Sequence, residues 1–173
     1  MRFIILFSFL CAFGCSTTRE MFQTSSSTYQ PNYPNDLLRR TKKEKPNNKP
    51  DNFAVILGLN TEQRHQGSMS LSYQVLIERG YKRENIYILD PDGLTPIFPT
   101  TDTTSIKSVE ILFNHLSEIV EPQDKLLIYI TGHGKQINKK SYLVLNMSEL
   151  LSAEDFVKML SKIHPEVGIL FAD

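Results

Sequence analysis

Residues 53–59, FAVILGL, form an unbroken apolar run. Such a run is the mark of a strand buried on both faces of a parallel sheet. Three further apolar blocks follow: NIYIL at 85–89, KLLIYIT at 125–131 and VGILFAD at 167–173. Between them the period changes to that of helices. SMSLSYQVLIERG at 68–80 predicts a helix with an apolar stripe bracketed by Leu71, Val75 and Ile77, stopped at Gly80. Ile106, Val109, Leu112, Phe113, Leu116 and Val120 recur at helical spacing, predicting a helix over 104–120 that Pro122 ends. Ser152, with Asp155 three residues on, approximates a capping box for a last helix through 163. DPDG at 90–93 signals a turn, 94–103 reads as a Thr- and Pro-rich loop, and SYLVLN at 141–146 predicts a short hairpin strand.

The order strand, helix, strand, helix, strand, helix, strand implies an α/β domain over 52–173. Its mainly parallel sheet has right-handed crossovers and helices on both faces. No internal repeat is present. No helical pattern follows the last strand, so a C-terminally incomplete sandwich is expected. One face of that strand would then be uncovered, giving marginal stability or self-association.

The polar pattern ahead of this domain is different. Residues 16–51 include SSSTYQPNYPND and RRTKKEKPNNKP, which bury too little apolar surface to offset ordering entropy and predict a flexible tether. Its basic cluster at 39–45 reads as a solvated charge run, with anionic lipid head groups as the alternative contact. At the start, Arg2 precedes an apolar run over 3–14 that is too short to span a bilayer. The run closes on Ala12-Phe13-Gly14-Cys15, which resembles a bacterial lipobox, although Phe13 is bulkier than usual there. That resemblance implies cleavage before Cys15, lipidation of its thiol, and anchoring in the cell envelope at a periplasmic or outer-membrane face. An ordinary secretory signal, or an uncleaved anchor, is the alternative.

Composition narrows the chemistry. The 173 residues carry 19 basic and 19 acidic side chains. A zero net charge gives no argument for nucleic acid. The two cysteines, Cys11 and Cys15, both precede the tether. The folded part therefore has no disulfide framework, no cysteine-based metal site and no thiol nucleophile.

In open α/β sheets reactive groups gather beyond the carboxyl ends of the strands. Three segments fall there: LNTEQRHQ at 59–66, TGHG at 131–134 and Asp173. The glycines beside His133 allow a sharp turn, and the amide of Gly134 is a candidate oxyanion donor. His133 itself suits general acid–base work, although a histidine in a tight turn after a strand is often structural. Arg64 alone is compatible with a surface charge and His65 with a helix cap. His115 and His164 read as surface residues.

LLIYITGHG followed by a helix and ILFAD resembles the core of the caspase-like cysteine peptidases. Within them it is similar to the legumain family, including the catalytic subunit of GPI transamidase. VILGLNTEQRHQGSMSLSYQVLIERGYKRENIYIL is similar to that family's first strand, Arg-His-Gln turn, helix and second strand. The resemblance covers 53–173 and implies a caspase-like three-layer sandwich acting on peptide or protein partners. It implies that His133 is the general base, Gly134 the oxyanion donor beside it, and Arg64, His65 and Asp173 parts of the substrate pocket. An asparagine assists the histidine in some members; here Glu62 has the matching spacing and Asn60 lies slightly earlier.

In the family the nucleophilic cysteine stands two residues after the position of Asp173. The 173 residues include none there, so the chain as given is expected to be inactive, a cysteine-endopeptidase homologue without its cysteine. The alternative is a membrane-tethered, non-catalytic module that binds a peptide or protein. No cofactor or metal is implied.

Overall fold

The structure, a computed structural model, describes residues 3–7, 49–93 and 100–172. Its strands are β1 (Phe3–Phe7), β2 (Asn52–Gly58), β3 (Ile86–Asp90), β4 (Asp102–Thr103), β5 (Lys125–Thr131), β6 (Gly134–Ile137), β7 (Lys140–Leu145), β8 (Glu149–Ser152) and β9 (Val167–Ala172). Its α-helices are α1 (Gln63–Glu78), α2 (Ile106–Ile119) and α3 (Ala153–Leu160). The main sheet runs β1-β9-β5-β2-β3-β4 with every pairing parallel, and β6-β7-β8 form a separate antiparallel sheet. The four apolar blocks of the sequence are the four central strands, β9, β5, β2 and β3. Cys15, most of the tether and Asp173 lie outside the described residues.

Both faces of the sheet are dressed by helices, as the alternating pattern requires. Phe53, Val55 and Leu57 of β2 point with Leu126, Ile128 and Ile130 of β5 into a core closed by Val109, Leu112, Phe113 and Leu116 of α2 and Phe156 and Leu160 of α3. The alternate residues Ala54, Ile56, Ile86 and Ile88 pack on Met69 and Leu76 of α1. The period of two along each strand thus feeds two helical layers.

Local chemistry sets the helix ends. Ser105 Oγ accepts from the Ser108 amide at 3.0 Å, and Ser152 Oγ accepts from the Asp155 amide at 3.0 Å. Both are N-caps that satisfy an otherwise orphaned first-turn donor. The Ser152 cap is the one expected from the sequence. Where the chain enters the domain, Asp124 is buried and ties two loops. Its Oδ1 accepts from the Asp51 amide and its Oδ2 from the Glu121 amide, each at 2.8 Å.

Three elements differ from expectation. Helix α1 begins at Gln63 rather than at residue 68, and Leu71 and Val75 are 62% and 43% exposed. The buried stripe is His65, Met69 and Leu76, with Tyr73 and Ile77 packed at its margin. A histidine holds the first place in that stripe, so hydrophobicity alone points to the wrong phase. The hairpin strand expected at 141–146 is the centre of three strands, β6-β7-β8. Phe3–Phe7, expected within a targeting segment, lies along β9 in register Phe3↔Gly168 to Phe7↔Ala172. Among the described residues no helix is long and apolar enough to cross a membrane.

Candidate active site

The carboxyl ends of β2 and β5 are adjacent, with Gly58 opposite Thr131. Beyond them the chain turns twice. After β2, Leu59 donates its amide to the Thr131 carbonyl at 2.9 Å and accepts from the Asn146 amide at 2.8 Å. After β5, Gly132 adopts φ +145°, and a Cβ there would lie 2.3 Å from Leu59 Cβ. Only glycine lets the two turns approach so closely. The clamp places His133 over the start of α1.

Glu62 is the residue that meets it. His133 Nε2 lies 2.7 Å from Glu62 Oε1, and both side chains are about half exposed. The second carboxylate oxygen accepts from Arg64 Nε at 2.9 Å. The hydrogen bond from His133 comes first, and the Arg64 guanidinium after it, in holding the Glu62 carboxyl below its ordinary value of 4.5. An ionised carboxylate only accepts, so His133 donates from Nε2, and the corresponding neutral tautomer has its lone pair on Nδ1. That is the protonation pattern of an imidazole steered by a carboxylate for proton transfer through the other nitrogen.

Asn60 acts one step further back. Its Oδ1 accepts from the Glu62 amide at 3.2 Å, an Asx turn that fixes the residue carrying the carboxylate. The Asn60 side chain is buried and its Nδ2 has no hydrogen-bond partner among the described residues. Of the two residues left open by spacing, Glu62 touches the histidine and Asn60 positions Glu62.

His65, expected in a substrate pocket, lies beside the Glu62–His133 pair. It is 4% exposed, on the inner face of α1, with Nδ1 2.5 Å from Thr131 Oγ1 and Nε2 3.9 Å from Glu62 Oε2. Its ring stands edge-on to that of His133, centroids 5.5 Å apart at 88°. Arg64 is exposed and turned onto Glu62. Gly134 opens β6 opposite Leu143. Asp173 falls outside the described residues. Thr131, buried and directly before Gly132-His133, was not singled out in the sequence; its place as the last strand residue before the turn was the available signal.

The arrangement therefore brings His133, Glu62, His65 and Arg64 together at one sheet edge. It is competent for proton transfer at His133, and the donor atoms of Glu62, His65 and His133 lie within 4.8 Å of one another, close enough to share a metal ion. The described residues contain no cysteine. No protein-family model matches this chain, and no curated protein does so.

Proposed function

We propose that residues 52–173 carry the histidine half of a caspase- or legumain-like cysteine endopeptidase, set on a three-layer sandwich. The tether would present it from a lipid anchor at Cys15, on the envelope side of a bacterial membrane. One observation carries the reading: the Glu62–His133 pair at the carboxyl edge of a parallel sheet, at 2.7 Å. The end of β9 runs beside it, with Ile130 opposite Ala172. A thiol supplied just beyond β9 would enter next to the strand that delivers His133.

In that mechanism His133 Nδ1 takes the thiol proton and the thiolate attacks the scissile carbonyl. Glu62 compensates the imidazolium that forms, and the Gly134 amide is a donor for the developing oxyanion. The imidazolium then returns its proton to the leaving amine, and water hydrolyses the acyl-enzyme with His133 again as base. Arg64, exposed beside Glu62, faces a peptide substrate or partner. No cysteine follows Cys15 in the 173 residues, so this polypeptide by itself is expected to leave peptides uncleaved.

The test is to read the coding sequence through the Asp173 codon and express what it encodes. A cysteine two residues on, with peptide hydrolysis abolished by His133→Ala, supports the proposal. Any other residue at that position overturns it and leaves a tethered, non-catalytic peptide- or protein-binding module.

A further inference from the structure

We propose that Glu62, His65 and His133 form a binding site for a zinc-class divalent metal ion. This goes beyond the peptidase reading and does not rest on it: all three donors are within the described fold, whatever follows Asp173. The sequence alone implied no metal.

Three features support the site. The first is the donor set. Two imidazoles and one carboxylate suit zinc and its neighbours, whereas magnesium and calcium prefer oxygen ligands. The second is spacing. Tetrahedral zinc with bonds near 2.0–2.1 Å holds its donors roughly 3.3 Å apart. Here Glu62 Oε1 and His133 Nε2 are 2.7 Å apart, and Glu62 Oε2 and His65 Nε2 are 3.9 Å apart. With one donor atom from each residue the three lie within 4.8 Å of one another, so the widest gap closes by at most about 1.5 Å. Glu62 and His133 are half exposed and able to make those shifts, a metal on His133 Nε2 displacing the proton that Glu62 otherwise accepts, while buried His65 stays fixed.

The third feature is the support behind the ligands. Metal-bound histidines hold their other nitrogen on a hydrogen-bonding group that sets tautomer and ring orientation. His65 Nδ1 has Thr131 Oγ1 at 2.5 Å, which leaves Nε2 as the nitrogen turned towards Glu62. Arg64 Nε on Glu62 Oε2 leaves Oε1 as the coordinating oxygen. Three protein donors with two of them at the surface leave a fourth position towards solvent, where a water completes the tetrahedron.

The test uses the full chain and zinc chloride. Isothermal titration is expected to show one zinc per chain with micromolar affinity, undiminished by millimolar magnesium. His133→Ala and Glu62→Gln lie at the surface, so the fold is retained, as far-ultraviolet circular dichroism will register. Each is expected to weaken zinc binding at least tenfold, more for the histidine. The cobalt form is expected to show no sulfur-to-metal charge-transfer band. Equal affinity in wild type and both variants overturns the proposal, as does the absence of saturable binding in wild type. A thiolate band in the cobalt form overturns it too, because the metal would then sit on Cys11 and Cys15.

Discussion

Substituting alanine at Gly132 tests the clamp on which the site depends. The new Cβ would sit 2.3 Å from Leu59 Cβ and 3.2 Å from Leu59 Cα, where ordinary contact begins at 3.4 Å. The two turns must therefore separate by about 1 Å, and the φ of +145° is one that an L side chain rarely adopts. Overpacking of this kind costs about 1–3 kcal/mol and the strained backbone about 1–3 more. A loss of roughly 2–6 kcal/mol is a large share of the roughly 5–15 kcal/mol that holds a domain together. Gly67→Ala is the matched control, since nothing lies within 4 Å of the added methyl in the middle of α1. It is expected to stabilise by roughly 0.5–1 kcal/mol. Urea denaturation followed by tyrosine fluorescence and circular dichroism gives both numbers. If Gly132→Ala comes out within about 0.5 kcal/mol of wild type, the close approach of the turns is not what shapes this edge.

Phe113→Ala removes a fully buried ring that meets Phe156 edge-on at 5.4 Å, and is expected to cost about 3–5 kcal/mol by the same denaturation measurement. Asp124→Ala deletes the acceptor of two amides from separate loops and is expected to cost on the order of 3 kcal/mol, with Asp124→Asn losing less. Met147 sits at φ +59° and is 80% exposed, so Met147→Gly is expected to raise stability by up to about 1 kcal/mol in thermal unfolding. The Glu62 carboxyl, followed by carbon-detected NMR, is expected to titrate below 4.5 and to move back up in His133→Ala. Because the folded-state value is the lower one, the pair's contribution is present above 4.5 and fades as pH falls through the folded value.

The four central strands were legible because each is a continuous apolar block, a pattern that survives any uncertainty at the ends. The Ser152 cap was legible because it is a local side-chain-to-backbone bond written within four residues. The phase of α1 was not, because His65 opens its inner face and Tyr73 packs at the margin while Leu71 and Val75 look outward. Strands β6 and β8 were hidden for a different reason. Lys135 and Gln136 are exposed, and the turns bounding β7 place Lys139 and Met147 at positive φ where Asn-Gly would have announced a hairpin. At the site, His133 could be singled out from Gly-His-Gly, but the choice between Asn60 and Glu62 required the path of the turn. Two residues of displacement decide whether a side chain touches the ring or braces its neighbour.

The two helical layers grip the sheet unequally, and the site straddles the difference. Met69 and Leu76 anchor α1, whereas six buried side chains from α2 and α3 close the opposite face. Burial of two such side chains supplies on the order of 5 kcal/mol. Helix α1 can then lift away at a smaller cost than unfolding the sheet. Glu62 and His65 belong to the start of that helix, and His133 belongs to the end of β5. An opening of α1 alone would dismantle the cluster while the sheet persists, and the cluster's lifetime would then follow that sub-global equilibrium. Amide hydrogens along α1 would exchange ahead of those in β5, and a ligand bridging Glu62 and His133 would slow them first.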